Sequence, residues 1–365
     1  MRSGWRALPD WMRCPVMLAG LLAWGAPPAH AADDCKPAQG LSFLCGAIKP
    51  EDLKRIPGTP YLVASGFSPG SGLKLVDTRR KQFRFWYTGA ADQIAPDPAR
   101  YPDCATPPDP ALFNARGLSL RKTSRASAAL LVVNHGGREA VEVFAISMGA
   151  GRDAPTLRWQ GCLRMPEGHV GNAVASYADG TVLVSVLTRP GMTITDFERG
   201  EKTGGIYERA PRGSGFSLIP GTELPGNNGL ETARDDSGFY AVAFGLRAVA
   251  LFKRGSTDGP AAIVPAPGFM PDNIHWNGNR LIAAGMSSDE PACGGTRKII
   301  NGVADTMQCP RGWRVAELDP RRKTFRLVAE GARMPGFNGV SQALLMGRTL
   351  WLGSYQADRI AYRQR

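Results

Sequence analysis

Five oxygen-bearing side chains recur at one kind of place in the sequence. Glu51, Asn172, Asn228, Asp272 and Asn273 each stand shortly ahead of a nearly continuous apolar run. Asn114 to Arg116 and Asn338 hold comparable places ahead of two further runs. One Asn or Asp at a strand start commonly serves a turn, but recurrence with this mix of types points to a shared site. Hard cations such as calcium take about six to eight oxygens from carboxylates, amide carbonyls and water. Glu51 and Asp272 balance a divalent charge, and three Asn oxygens fill the shell without excess repulsion. Zinc fits poorly, because the chain has 4 His and none in paired ligand spacing.

Such residues need a frame that brings distant segments to one point. No long stretch shows the i, i+3, i+4 apolar spacing of a helix; short apolar runs bounded by Gly, Pro, Asn and Asp dominate instead. Six are alike: Pro60–Gly66, Ala129–His135, Thr181–Leu187, Gly238–Phe244, Arg280–Met286 and Thr349–Tyr355. Neither face of such a run can meet water. Their starts lie 42 to 69 residues apart, mostly wider than the roughly 40–50 of a propeller repeat, which implies insertions. Asp77–Arg84 and Asp319–Arg326 share six of eight residues, which marks equivalent hairpins on the first and last units. Repeats that cannot bury their own faces stack radially on one another. The expected fold is an all-β, six-bladed β-propeller in which inner-strand starts converge on a central channel. Insertions at 90–112 and 287–312 are expected to shape its mouth.

The chain has 365 residues, 43% of them hydrophobic, which excludes a disordered or collagen-like chain. Its formal net charge of +12 is spread out, with no run longer than Arg321-Arg322-Lys323 and no nucleic-acid motif. Nucleic acid is therefore not an expected partner. Arg2, Arg6 and Arg13 precede an apolar run from Cys14 to Trp24, and Ala29-His30-Ala31 follows. That order is read as a secretory signal, residues 1–31, leaving one propeller domain at 32–365 in the periplasm or secreted. No stretch is long enough for a transmembrane helix. Six Cys remain after cleavage, an even number that favours disulfides in an oxidising compartment. The local pairs Cys35–Cys45 and Cys293–Cys309 are expected, leaving Cys104–Cys162.

Several segments, in order, resemble the paraoxonase family. They are Glu51-Asp52-Leu53, Phe113 to Ser119, Leu131 to His135, Asp272-Asn273-Ile274 and Leu350 to Gly353, spread across roughly residues 45–362. The wider group includes gluconolactonases and strictosidine synthase-like proteins. The resemblance implies a calcium-dependent hydrolase of lactones or aryl esters, with Ca2+ held by Glu51, Asn172, Asn228, Asp272 and Asn273. It also places Asp52 on one member of an Asp pair that holds a second ion, while Ala173 stands at the other.

The family carries a His–His pair as base; Arg116 stands at the first position and His135 at the second. Arg stays protonated near neutral pH and cannot abstract a proton, so His135 is the candidate base. Arg116 suits the carboxylate or phosphate of an acidic substrate. His169 and His275 are placed only near the ligands. Two alternatives remain: a strictosidine synthase-like condensing enzyme, which would not need the metal shell, and a non-catalytic periplasmic binding propeller.

Overall fold

The computed structural model describes residues 35–149 and 153–365. The segment read as an export signal lies outside the described residues. Nearly every described element is a strand, and 24 of the strands form six four-stranded antiparallel sheets. These are the blades of a six-bladed β-propeller. Their inner strands are Leu53–Arg55, Ala115–Lys122, Gly171–Ser176, Asn227–Thr232, Phe269–Asn277 and Val340–Met346, each touching the next around the channel.

The six apolar runs become the second strands: Tyr61–Ala64, Ser127–Asn134, Val182–Val186, Gly238–Ala243, Arg280–Ser287 and Thr349–Ser354. Their lack of alternation has a direct cause, since each blade is covered on both faces by its neighbours. Between the first two blades, Val63, Leu75, Trp86, Leu130, Phe144 and Trp159 form one buried cluster. Between the last and the first, Leu62, Val76, Leu344, Trp351 and Ile360 form another. Each large apolar side chain so buried contributes roughly 1.5–3 kcal/mol, and a polar residue on either face would forfeit that.

The ring closes by sharing a sheet between the chain ends. Ser42–Cys45 pairs antiparallel with Arg359–Gln364, Ser42 opposite Tyr362, and becomes the outer strand of the sixth blade. This corrects the placing of the two similar hairpins. One joins Lys74–Asp77 to Gln82–Phe85 in the first blade; the other joins Trp313–Asp319 to Thr324–Gly331 in the fifth blade, not the last. The last blade has no outer hairpin because its fourth strand comes from the other end of the chain. The hairpins themselves match closely. Asp77 accepts from the backbone N–H of Arg79 and Arg80, and Asp319 from those of Arg321 and Arg322. Lys81 and Lys323 both take a left-handed φ, 56° and 55°.

Three disulfides join Cys35 to Cys45, Cys104 to Cys162 and Cys293 to Cys309, the pairing expected from spacing. They suit an oxidising compartment. No described helix is long and apolar enough to cross a membrane.

Candidate functional site

Inner strands of a propeller would normally aim alternate side chains along the channel wall. Here the register slips at one equivalent level in five of the six. The irregularities fall between Ala115 and Leu118, Gly171 and Val174, Asn227 and Leu230, Pro271 and Ile274, and Val340 and Gln342. A bulge re-aims the residues inside it, and those residues are Arg116, Asn172, Asn228, the Asp272-Asn273 pair and Ser341. In the first blade Glu51 and Asp52 stand just before the strand. Glycines let the blades approach at this level. A Cβ on Gly117 would lie 2.6 Å from the Asn172 carbonyl oxygen, and one on Gly229 would lie 2.3 Å from that of Asp272.

The result is a ring of buried oxygens. Glu51, Asn172, Asn228 and Asp272 all face one cavity of about 790 Å³. Asn273 adjoins it, its side-chain amide donating to Glu51 Oε1 at 3.0 Å. Four oxygens of this set are buried without a hydrogen-bond partner: Glu51 Oε2, Asn172 Oδ1, Asn228 Oδ1 and Asn273 Oδ1. A native interior rarely leaves so many acceptors unmatched in one place. Burial, with Asp52 and Asp272 adding repulsion, pushes the Glu51 carboxyl well above the usual carboxylate range. Burial likewise lifts Asp272, to about 7, against an opposing hydrogen bond from Asn228. Oxygen-only donors, two of them carboxylates that cannot both ionise cheaply, fit a divalent hard cation. Among the described residues no group of three or more His, Cys, Asp and Glu stands at metal-holding distance, so the three amides are essential to this fit.

Asp52 behaves differently. Its Oδ1 accepts from the Leu53 N–H and faces His275 Nε2, both at 2.7 Å, while its Oδ2 accepts from the Leu118 N–H at 2.7 Å. It ties the first, second and fifth blades together, with both of its oxygens already accepting hydrogen bonds. His275 continues the link through Nδ1 to Glu231, which pairs with Lys54 at 2.7 Å. Burial alone would raise the Glu231 carboxyl, but Lys54 and His275 bring it down to about 2.

Arg116 is not itself part of the cavity wall but stacks on Phe67, which is, its guanidinium 3.3 Å from the centre of that ring and its Nε donating to Asn114. His135 does not line the cavity; its Nδ1 pairs with Glu139 at 2.8 Å and its backbone bonds to Asn114. His169 packs against Tyr207, also away from the cavity. Asn338 proves to be a loop pin, accepting from the Arg311 N–H and donating toward Gln356. The sixth blade instead places Ser341 here, its hydroxyl donating to the Glu51 carbonyl at 2.6 Å.

The upper walls are apolar, with Phe67, Leu187, Phe197, Phe244, Met307 and Tyr355 among them. Two insertions roof the cavity. The short helix Ile194–Glu198 carries one side and the hairpin Ile299–Ile300/Val303–Ala304 the other. They are clasped by an Arg297–Glu198 ion pair at 2.7 Å and by the Thr195 hydroxyl accepting from the Ala304 N–H. The 287–312 insertion thus shapes the mouth as expected. The 90–112 insertion does not, because Ile94 bridges to Trp159 and Cys104 to Cys162 on the outer strand of the second blade. The 193–199 segment has a legible helix start, the Thr193/Asp196 capping box, a signal that apolar periodicity does not carry.

No family model and no curated protein matches the sequence. Solved structures do. A luciferin-regenerating enzyme aligns with a TM-score of 0.50 at 12% identity, over 88% of this chain and 92% of that one. Regucalcin from Agrobacterium tumefaciens C58, described as a calcium-binding protein, gives 0.49 at 10% identity over 88% and 90%. A protein described as a candidate gluconolactonase gives 0.48 at 13% identity over 91% and 94%. At these identities the likeness is one of fold.

Proposed function

We propose that this chain is a calcium-dependent hydrolase of lactones or aryl esters, working in the periplasm or secreted. The observation that carries the reading is the set of four unpartnered, buried oxygens beneath an apolar cavity large enough for a small ester. Glu51, Asn172, Asn228, Asp272 and Asn273 would hold the ion. When bound, calcium supplies Lewis acidity toward a carbonyl oxygen.

The remaining work falls to this chain's own residues. Phe67, Phe244 and Tyr355 take up the apolar part of the substrate and exclude water around the ester. Arg116 orients an acidic group with its planar donors. His135 is assigned as base through an intervening water: Nδ1 is held by Glu139, which leaves Nε2 to accept a proton. The position of His135 outside the cavity wall favours one other reading, a binding propeller without catalysis. A panel of γ- and δ-lactones and phenyl acetate, with and without chelator, separates the two. Chelator-sensitive turnover is expected; a calcium-loaded protein inert toward the whole panel would leave the binding reading.

A further inference from the structure

The opposite end of the channel carries a second cavity, of about 460 Å³, that the hydrolase reading does not use. It is built from the far ends of the same inner strands, and the residues it gathers are cationic. Lys54 and Arg55 come from the first blade, Arg121 and Lys122 from the second, and Arg234 follows the inner strand of the fourth. His275 adds a ring from the fifth.

Acids nearby do not match them in number. Glu231 takes Lys54 at 2.7 Å, and Asp236 stands 3.5 Å from Arg121. Arg121 also donates to the Ser176 carbonyl, and Arg234 to that of Gly278, neither of which cancels charge. Arg234 lies over the Trp276 ring, 4.9 Å from its centre. Arg55 and Lys122 are exposed at the rim. Cations from three blades facing one concave space repel one another, and the field they create draws a counter-charge into it. Arginine forks favour phosphate and carboxylate oxygens, which they engage through paired N–H donors. The volume admits a small molecule rather than a folded partner. The link from Asp52 through His275 and Glu231 to Lys54 separates this space from the ring of unpaired oxygens.

We propose that the far mouth is a second binding site, for a small, multiply charged oxyanion of the phosphate-ester class.

Calorimetric titration of the mature chain with inorganic phosphate and with pyrophosphate tests this, in calcium-free buffer at fixed ionic strength. Saturable binding with one site per chain is expected, tighter for pyrophosphate. The double variant Arg55→Gln/Lys122→Gln should weaken pyrophosphate at least tenfold. Arg79→Gln/Arg80→Gln, which removes the same charge from an exposed outer hairpin, should leave it within twofold, as should Glu51→Gln. Absence of saturation overturns the proposal. So does an equal loss in both arginine-containing pairs, which would mean diffuse attraction to a basic surface. Loss in Glu51→Gln alone would place the anion in the other cavity, and that also overturns it.

Discussion

Glu51 and Asp52 are neighbours in sequence, both buried, both carboxylates, and the protein treats them in opposite ways. Asp52 is met at both oxygens, by the Leu53 and Leu118 amides and by His275. Glu51 receives one hydrogen bond, from Asn273, and its second oxygen has none. The same contrast separates two levels of the channel. Along the Asp52–His275–Glu231–Lys54 link each acid faces a donor or a cation. At the bulges, acceptors outnumber donors, and four oxygens are left unpartnered. A buried polar group that is matched holds blades together; one that is left unmatched in company waits for something.

The sharpest test changes both halves of that contrast. Glu51→Gln with Asp272→Asn should lower lactone or ester hydrolysis about a thousandfold and abolish any calcium-induced rise in thermal midpoint. Stability without calcium should hold or improve, since two carboxyls that burial disfavours are gone. Intact hydrolysis together with intact calcium stabilisation would remove the site. Asp52→Ala should do the reverse. It strips His275 and two amides of their acceptor and should cost about 3–5 kcal/mol of stability, read by urea unfolding. A loss below about 1 kcal/mol would mean that the link is not structural.

Much of the fold is legible in the sequence. Periodic apolar runs announced blades, because burial on both faces leaves no room for alternation. Recurrence marks the five oxygen-bearing positions, but it marks Asn114 and Asn338 equally. What recurrence could not give was the aim of each side chain. Asn338 and Asn172 look alike in sequence, but only Asn172 sits inside a bulge, and a bulge is set by pairing with the next strand. The structural duty of Asp52 was hidden for a similar reason: His275 lies 223 residues away. Of the roof, the 287–312 side is legible as an insertion; the helix side and the clasp are not, because the clasp joins Glu198 to Arg297 across 99 residues, between segments that carry no repeat signal.

Lys74 extends the comparison to a cation. It is fully buried, and its Nζ donates to the carbonyls of Ile48 and Ser65. Burial, only partly opposed by Asp358, lowers its ammonium to about 7 from 10.5. Between those values the unfolded chain binds the extra proton, so stability should rise with pH, by up to about 1.4 kcal/mol per unit. That gain is absent below about 7 and grows through pH 9. Urea midpoints at pH 7, 8 and 9 should climb in the parent and stay level in Lys74→Met; parallel slopes would contradict the assignment.

His135→Gln addresses the side of the site where geometry is least direct. Because the ring stands outside the cavity wall and is held by Glu139, its removal should cost about tenfold in kcat, below the usual range for a general base. An unaltered kcat would take His135 out of the mechanism and strengthen the binding reading.

The smallest expected effect concerns the roof. Arg297 and Glu198 form a buried ion pair between two insertions that otherwise meet through the Thr195–Ala304 contact. Breaking one partner alone would strand the other's charge and confuse stability with function. Arg297→Met with Glu198→Gln removes both charges and keeps most of the volume. The floor of the cavity, built by the inner strands, does not depend on that pair. KM should therefore rise several-fold while kcat moves less than twofold and the calcium-induced thermal shift is kept. A matching fall in kcat would instead mean that roof and floor act as one unit, with the clasp positioning the bulged residues below it.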